Sequence, residues 1–149
     1  EVLTNFRGLT HRMTYLGSAQ GVGWYNDSKS TTPHSVAAAV QGFENVVLIV
    51  GGQNKGIDLT VLGLLSGHLK AVVTIGEAAE EITEVFKERI PTDRAETMDK
   101  AVVQARARSE SGDVVILSPG CASFDWYENY KERGRHFSDL VSQIVFGCA

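Results

Sequence analysis

Three short aliphatic runs constrain the fold of this chain more than any other feature of its sequence. They are VVLIV (46–50), AVVTI (71–75) and DVVIL (113–117). None of them alternates between apolar and polar residues, which is typical of parallel strands that helices cover on both faces of a sheet. Helical patterns lie between and after the runs, near 33–43, 59–68, 78–89, 96–108 and 125–145. This alternation predicts an α/β fold with a doubly wound, mostly parallel, Rossmann-like sheet and helices on both faces.

Two further strands are predicted before the first helix. The segments HRMTYLGSAQ (11–20) and GVGWYND (21–27) are rich in strand-forming residues, and a turn around Ala19–Gly21 would join them as a hairpin. The strands of a hairpin are antiparallel, so we expect the first strand to be an antiparallel edge of the sheet.

The composition indicates one globular domain. The chain has 149 residues, of which 43% are hydrophobic and 21% are charged, and this is enough for a single buried core. A net charge of −4 and a pI near 5.5 argue against nucleic acid as a partner. No apolar run is long enough to span a membrane and no leader-like segment opens the chain, so we expect a cytoplasmic protein without a membrane partner. Because the sequence begins at Glu1 without an initiator methionine, we also expect it to be a fragment of a longer protein.

The cysteines and histidines do not predict a metal site. Cys121 and Cys148 match neither a disulfide framework nor a zinc pattern, and no nearby His and Asp would activate Cys121 as a nucleophile. The histidines show no metal-ligand spacing, so we expect each at the surface or in the core: His11, His34, His68 and His136.

Ligands of doubly wound sheets bind beyond the carboxyl ends of the strands, and the loop NDSKSTTP (26–33) follows one such end. Asp27 or Ser28 could cap the next helix, with Pro33 in its first turn. A cap does not account for Lys29 and Thr31, which stand beside exposed helix amides that attract anions. We therefore predict a binding function for this loop.

Two more loops follow predicted strands. GGQNKGID (51–58) combines glycines with Lys55, but its spacing fits neither a Walker A loop nor a dinucleotide fingerprint. Taken alone, it is equally compatible with a flexible turn that carries a solvated lysine. In LSPGCASFDWYENYKERG (117–134), small residues lead into an amphipathic helix that Ser123 or Asp125 could cap, with aromatic residues that could serve packing alone.

Four motifs together resemble the C-terminal domain of the ATP-dependent Mur ligases, in the members of that family that add D-glutamate. They are GLTHR (8–12), NDSKST (26–31), GGQNKG (51–56) and SPGCASFDWYENYKERG (118–134), in the same order and spacing. The resemblance covers essentially residues 1–149 and implies the third, amino-acid-binding domain of a three-domain ligase of peptidoglycan synthesis. In that chemistry ATP phosphorylates a substrate carboxylate, and the amine of D-glutamate displaces phosphate from the acyl phosphate.

The resemblance also implies roles for individual residues. Lys55 and Thr31 would bind the side-chain carboxylate of D-glutamate, and Ser123 with the backbone of Phe124 would hold the substrate from the other side, near Tyr130.

The nucleotide is implied to contact a second group of residues. Asp27 would reach the ribose of ATP, Arg12 would lie near the nucleotide, and Lys29 would neutralise phosphate charge as the catalytic residue. ATP and Mg²⁺ are expected as co-substrate and activator of the full-length enzyme, with neither bound tightly by this domain. The expected partners are D-glutamate, UDP-N-acetylmuramoyl-L-alanine, and the N-terminal and central domains.

Some residues depart from the family pattern. Gln53 and Asn54 stand where the family often has an acidic residue and glycine, and Tyr130 stands where some members have phenylalanine. The Asp-Asn-Pro-Arg motif of the branch that adds a diamino acid is absent, which favours D-glutamate. Two alternatives stay open: a related glutamate-adding ligase such as folylpolyglutamate synthase, and a self-contained module that binds a small molecule.

Overall fold

The computed structural model of the protein describes residues 11–147, which form one six-stranded sheet. Its strands are β1 (Thr14–Ala19), β2 (Val22–Asn26), β3 (Val46–Gly51), β4 (Leu69–Ile75), β5 (Thr92–Arg94) and β6 (Val114–Leu117). Across the sheet they follow the order β1, β2, β6, β3, β4, β5. β1 pairs antiparallel with β2, and every other pairing is parallel. The predicted mostly parallel sheet with an antiparallel edge strand is confirmed.

Helices cover both faces of this sheet. Within the described residues they are α1 (Pro33–Val40), a 3-10 helix (Leu59–His68), α2 (Ala79–Phe86), α3 (Met98–Arg108) and α4 (Tyr130–Val145). α1, the 3-10 helix and α2 pack against one face, and α3 and α4 pack against the other. This is the predicted doubly wound arrangement. No helix in residues 11–147 has both the length and the apolar character that crossing a membrane requires.

The central strand β3 shows why these sequences form buried strands. Its successive side chains point to opposite faces, so Leu48 packs under α1 and α2 while Val47 and Ile49 pack under α3 and α4. All three residues have no exposed surface. Each such side chain stabilises the fold by about 1.5–3 kcal/mol relative to its exposed state. A polar residue in this strand would therefore be costly on either face.

The hairpin between β1 and β2 forms where it was predicted. Its turn residues Gln20 and Gly21 both have positive φ, at +55° and +82°. Two consecutive positive φ values belong to the type I′ turn, whose twist matches that of the flanking strands.

Three elements differ from the predictions. β5 was not predicted, because the polar segment Thr92–Arg94 offers no apolar run. The segment 59–68 is a 3-10 helix rather than an α-helix, and Gly63 and Gly67 within it weaken the α-helical preference. α4 begins at Tyr130 rather than near 125, because the side chain of Asn129 caps it by accepting the backbone N–H groups of Lys131 and Glu132 at 2.9 and 3.0 Å.

Candidate functional site

The loops after β2, β6 and β3 lie side by side, because these strands are neighbours in the sheet. The backbone N–H of Gly120 donates to the carbonyl of Ser30 at 2.9 Å, which joins the first two loops. Gln53 and Ala122 exchange backbone hydrogen bonds of 2.8 and 3.1 Å, which join the second and third. The structure thus brings the three predicted loops to one edge of the sheet.

Asp27 is buried and hydrogen-bonded to its own loop, to the loop after β6 and to the residue before β1. Its carboxylate accepts hydrogen bonds from the Ser118 hydroxyl at 2.7 Å, the Met13 backbone N–H at 3.0 Å and the Ser30 hydroxyl. Only 2% of the residue is exposed. Burial raises the pKa of Asp27 above its ordinary value, although these three donors and the charge of Arg12 act in the opposite direction.

The residue that caps α1 is Thr32, which was not predicted from the sequence. Neither Asp27 nor Ser28 caps α1; Thr32 does so, with its hydroxyl accepting the backbone N–H of Ser35 at 3.3 Å. Pro33 occupies the first turn as expected. The adjacent Thr31 is half-buried, and its hydroxyl has no hydrogen-bond partner within residues 11–147. Among the described residues, nothing else therefore engages the Thr31 hydroxyl, as a ligand-binding role would require.

Lys29 lies against Tyr130. Its ammonium is 3.2 Å from the Tyr130 hydroxyl and 4.8 Å from the centre of the aromatic ring. The hydrogen bond from Lys29 lowers the pKa of the Tyr130 phenol. Tyr130 thus orients the lysine from the start of α4, and its hydroxyl is part of that contact.

A cleft of about 310 Å³ lies beside Lys29. Its charged and polar lining comes from the predicted nucleotide residues and from the start of α1, whereas alanines and a methionine form its apolar part. The lining residues are Arg12, Met13, Asp27, Lys29, Ser30, His34, Ser35, Ala38 and Ala39. A lining that combines apolar side chains with two cations suits a ligand that has both a ring system and phosphates.

The loop after β3 presents Lys55 to solvent. Its ammonium lies 4.9 Å from the centre of the Phe124 ring, and no carboxylate of the described residues pairs with it. Phe124 itself is 59% exposed. Gly52 is required where this loop begins, because its φ is +141° and a Cβ there would collide with the carbonyl oxygen of Ala122.

Ser123 has a buried position next to this pair. Only 2% of the residue is exposed, and its hydroxyl has no hydrogen-bond partner within residues 11–147. Neither Ser123 nor Asp125 caps α4, since Asn129 does. Cys121, also buried, has its pKa raised to about 12 by burial, so its thiol is not a nucleophile near neutral pH.

Arg133 is the main site residue that sequence reasoning missed. It is 1% exposed, and its guanidinium donates to the Ser28 hydroxyl at 3.0 Å, the Ser28 carbonyl at 2.9 Å and the Cys121 carbonyl at 3.1 Å. Burial lowers the pKa of Arg133 to about 10. It holds the loops after β2 and β6 against α4. In the sequence, only its place in the motif SPGCASFDWYENYKERG (118–134) pointed to Arg133. The motif alone does not show which of its charged residues is buried.

His11 and Asn26 form a second unpredicted contact at this edge. The Asn26 amide donates to His11 Nδ1 at 2.9 Å and to the Gly134 carbonyl at 3.1 Å. Burial and, to a lesser degree, the charge of Lys131 lower the pKa of His11, which favours the neutral ring that can accept this bond. Within residues 11–147 no group of three or more His, Cys, Asp or Glu side chains could hold a metal ion.

The fold and these loops define a doubly wound α/β domain. Within residues 11–147, the loops at the carboxyl edge of its sheet carry lysines, together with hydroxyls that have no hydrogen-bond partner. The family described as "Mur ligase, glutamate ligase domain" matches residues 11–121. The chain belongs to the Mur ligase family.

Sequence relatives agree with this assignment. A UDP-N-acetylmuramoylalanine–D-glutamate ligase from Aquifex aeolicus is 44% identical over 144 residues, which cover 95% of this chain and 35% of the relative. The protein of the same name from Methylococcus capsulatus is 45% identical over 146 residues, which cover 97% of this chain and 32% of that relative. The chain thus spans about a third of the length of these relatives.

Solved structures support the fold. UDP-N-acetylmuramate-alanine ligase from Thermotoga maritima matches with a TM-score of 0.62 at 13% identity, covering 93% of this chain and 31% of that one. Bifunctional folylpolyglutamate synthase/dihydrofolate synthase from Yersinia pestis, solved with AMPPNP and Mn, matches with a TM-score of 0.59 at 18% identity, covering 91% and 30%. At these identities the likeness concerns the fold alone.

Proposed function

We propose that the chain is the amino-acid-binding, C-terminal domain of an ATP-dependent ligase that adds D-glutamate to UDP-N-acetylmuramoyl-L-alanine in peptidoglycan synthesis. Membership of the Mur ligase family supports the reaction class, and the names of the relatives from Aquifex aeolicus and Methylococcus capsulatus support the substrates. The remaining substrate sites would lie on the N-terminal and central domains of the full-length enzyme. A reaction that consumes ATP and a nucleotide-linked sugar is proposed to occur in the cytoplasm.

One observation supports the amino-acid role: among residues 11–147, the Lys55 ammonium has no carboxylate partner, and two hydroxyls on the other loops of this sheet edge have no hydrogen-bond partner. Lys55 offers the charge, Thr31 is a free hydroxyl donor and Ser123 is a second. A carboxylate accepts hydrogen bonds from ammonium and hydroxyl groups, and bonds to a charged acceptor are about twice as strong as neutral ones. An amino acid with two carboxylates would satisfy all three groups. The exposed Phe124 ring would then cover the bound molecule, with its backbone beside Ser123.

The cleft beside Lys29 is proposed as this domain's share of the ATP site. Arg12 and Lys29 would contact the phosphates, and the apolar lining residues would contact the base or ribose. Asp27 is proposed to approach the ribose at the cleft wall, where its carboxylate already orders the loop. Magnesium is proposed to bind to the central domain, as the resemblance to the Mur ligases implies.

This arrangement would serve the reaction by placing a positive charge beside the phosphoryl group. Formation and breakdown of the acyl phosphate spread negative charge over phosphoryl oxygens, and a fixed cation stabilises such charge without reorganising. Lys29 is proposed to do this, because Tyr130 orients its ammonium from one side. The same loop carries Thr31, so one connection would align the phosphate with the incoming amine.

The amino-acid specificity tests this proposal. The full-length enzyme that contains this chain is assayed for phosphate release and amide product with ATP, UDP-N-acetylmuramoyl-L-alanine, and either D- or L-glutamate. We expect D-glutamate to be ligated and L-glutamate to be a poor substrate. Preference for L-glutamate on a folate substrate would instead support a folylpolyglutamate synthase. Ligand binding without any amide product would support a self-contained binding module.

Lys55→Ala tests whether the Lys55 ammonium binds a carboxylate of D-glutamate. We expect the KM for D-glutamate to rise about 10- to 100-fold, equivalent to roughly 1.5–3 kcal/mol for a charged contact, with little change in the KM for ATP. Lys87→Ala is the control, because Lys87 follows the last residue of α2 and, among the described residues, its ion pair is with Glu84, at 3.0 Å. Steady-state kinetics at saturating co-substrates measures both constants. An unchanged KM for D-glutamate in Lys55→Ala would contradict the assigned role.

A further inference from the structure

The start of α2, residues 77–81, touches the loop that carries Ser123 and Phe124. The Asp125 carboxylate accepts the backbone N–H of Glu77 at 2.9 Å, and it also accepts the N–H of Trp126 at 2.9 Å. α2 has no side-chain cap of its own, because its N-cap residue is Ala78. Asp125 therefore binds the backbone N–H of the residue before the N-cap, which has no other hydrogen-bond partner among the described residues.

Close packing maintains this contact. Gly76 has a φ of +74°, and a Cβ there would collide with the Asp125 carboxylate and lie 2.7 Å from Gly52 Cα. The backbone N–H of Ala78 donates to the Gly52 carbonyl at 2.8 Å. The start of α2 thus meets the loop after β6 and the loop after β3 at adjacent points.

The start of α2 also touches the turn that presents Lys55. The Asn54 side chain closes this turn, since its oxygen accepts the Ile57 N–H at 2.9 Å and its amide donates to the Ile57 carbonyl at 3.0 Å. The same amide donates to Glu81 Oε1 at 3.1 Å.

From these contacts we propose that the start of α2 is a clamp that sets the separation of the two amino-acid-binding loops, with Asp125 and Asn54 as positioning residues. The inference rests on the proposed function of those loops. Asp125 is two residues from Ser123, and Asn54 precedes Lys55. The loops meet where the Lys55 ammonium lies 4.9 Å from the Phe124 ring, so a shift of either loop changes the space for the ligand. In this proposal Asp125 and Asn54 do not contact D-glutamate themselves. They act by positioning the residues that bind it.

Kinetics of the full-length enzyme tests the clamp. In Asp125→Ala we expect the KM for D-glutamate to rise on the order of tenfold, and in Glu81→Ala about threefold, because small displacements of binding groups are costly. The KM for ATP should change less than about twofold in both. Glu81→Gln keeps a side-chain oxygen for Asn54 and should recover most of the lost affinity. Asp125→Asn keeps one oxygen for the N–H of Glu77 but none for that of Trp126, so it should recover part of the lost affinity.

Glu80→Ala is the matched control for Glu81→Ala. Both substitutions remove an acidic residue from the first turn of α2, and only Glu81 contacts Asn54. Both therefore weaken the favourable interaction with the helix dipole by a similar amount. Equal KM changes in the two variants would overturn the inference, since the effect would then come from charge on the helix.

Amide hydrogen exchange gives a readout that does not depend on the substrate. In the full-length enzyme, exchange in residues 53–58 should be faster in Glu81→Ala than in Glu80→Ala or the unsubstituted protein. Unchanged exchange, or an unchanged KM for D-glutamate in an enzyme that ligates D-glutamate, would overturn the clamp. If the unsubstituted enzyme does not use D-glutamate, the proposed function fails, and the exchange result still decides whether the start of α2 orders the loop.

Discussion

Two adjacent threonines at the start of α1 have different surroundings and should have different effects. The Thr32 hydroxyl caps the helix, whereas the Thr31 hydroxyl has no partner among residues 11–147. We expect Thr32→Ala to lower the free energy of unfolding of the chain by about 1 kcal/mol, the usual cost of a lost cap. Thr31→Ala should leave stability unchanged and weaken D-glutamate use in the full-length enzyme by roughly 1.5–3 kcal/mol. Urea unfolding and steady-state kinetics on both variants measure the four quantities, and a stability loss in Thr31→Ala would assign it to structure.

Asp27 provides a test by pH, because burial and hydrogen bonding act on its carboxyl in opposite directions. Burial dominates and raises its pKa above the ordinary 3.8, so the folded chain holds this proton to higher pH than the unfolded chain does. The associated stability is complete below the unfolded pKa and is lost as the pH rises through the raised folded value.

Asn at position 27 cannot ionise and serves as the reference. We expect the unfolding free energy of the native chain, relative to that of Asp27→Asn, to fall as the pH rises from about 3 to about 7. Urea unfolding at several pH values measures this difference. A difference that rises with pH would mean that the three donors outweigh burial and that the pKa is lowered.

At the scale of elements, Arg133 joins α4 to two loops. Its three hydrogen bonds to Ser28 and Cys121 run from a buried cation to neutral oxygens. Arg133→Ala would leave buried carbonyls unsatisfied and should lower the free energy of unfolding by roughly 2–4 kcal/mol, after allowance for the cost of burying the charge. Arg135→Ala is the control, because this exposed arginine of the same helix forms a surface ion pair with Glu132 worth less than about 1 kcal/mol. Equal losses in urea unfolding would contradict the proposed role of Arg133 in joining these elements.

The same elements show what could be predicted from the sequence. β3, β4 and β6 were predicted because aliphatic residues buried on both faces leave a continuous run in the sequence. β5 was not, because a three-residue edge strand needs no apolar run and is held by backbone pairing with β4. The order of the strands, which places the three loops together, depends on contacts between distant segments and was available only as a fold-level expectation.

The site shows a similar division. Lys29 and Thr31 could be singled out because a helix cap does not account for them, whereas Lys55 was chosen only with the resemblance, since its loop alone is equally compatible with a flexible turn. Their roles came from the resemblance and are still predictions. The burial of Arg133 could not be anticipated, since a charged residue in a helical pattern is usually exposed. The cap at Thr32 was missed because several residues before Pro33 could serve as caps, and only the backbone path decides among them.

At the scale of the whole molecule, the two hydrophobic clusters should allow the chain to fold alone. One cluster lies on each face of the sheet, and the described Cys121 is a free thiol, so these clusters do not depend on a disulfide at that residue. A domain of this size with its own core usually unfolds in one cooperative step, with a stability of about 5–15 kcal/mol. We expect the expressed 149-residue chain to show such a transition in urea. Non-coincident transitions by circular dichroism and tryptophan fluorescence would contradict this.

The folded chain should nevertheless catalyse nothing. It supplies one wall of the proposed ATP and D-glutamate sites, so either ligand would keep most of its hydration and bind in the millimolar range or weaker, at about 4 kcal/mol or less. Amide formation also requires the acyl phosphate to be held against the amine, and that geometry needs groups on opposite sides of a closed cleft. Phosphate release is measured with ATP, D-glutamate and UDP-N-acetylmuramoyl-L-alanine, using the full-length enzyme as the positive control. We expect no turnover above background from the isolated chain, whereas robust turnover would show that one domain contains the whole catalytic site and would refute the division of roles among domains.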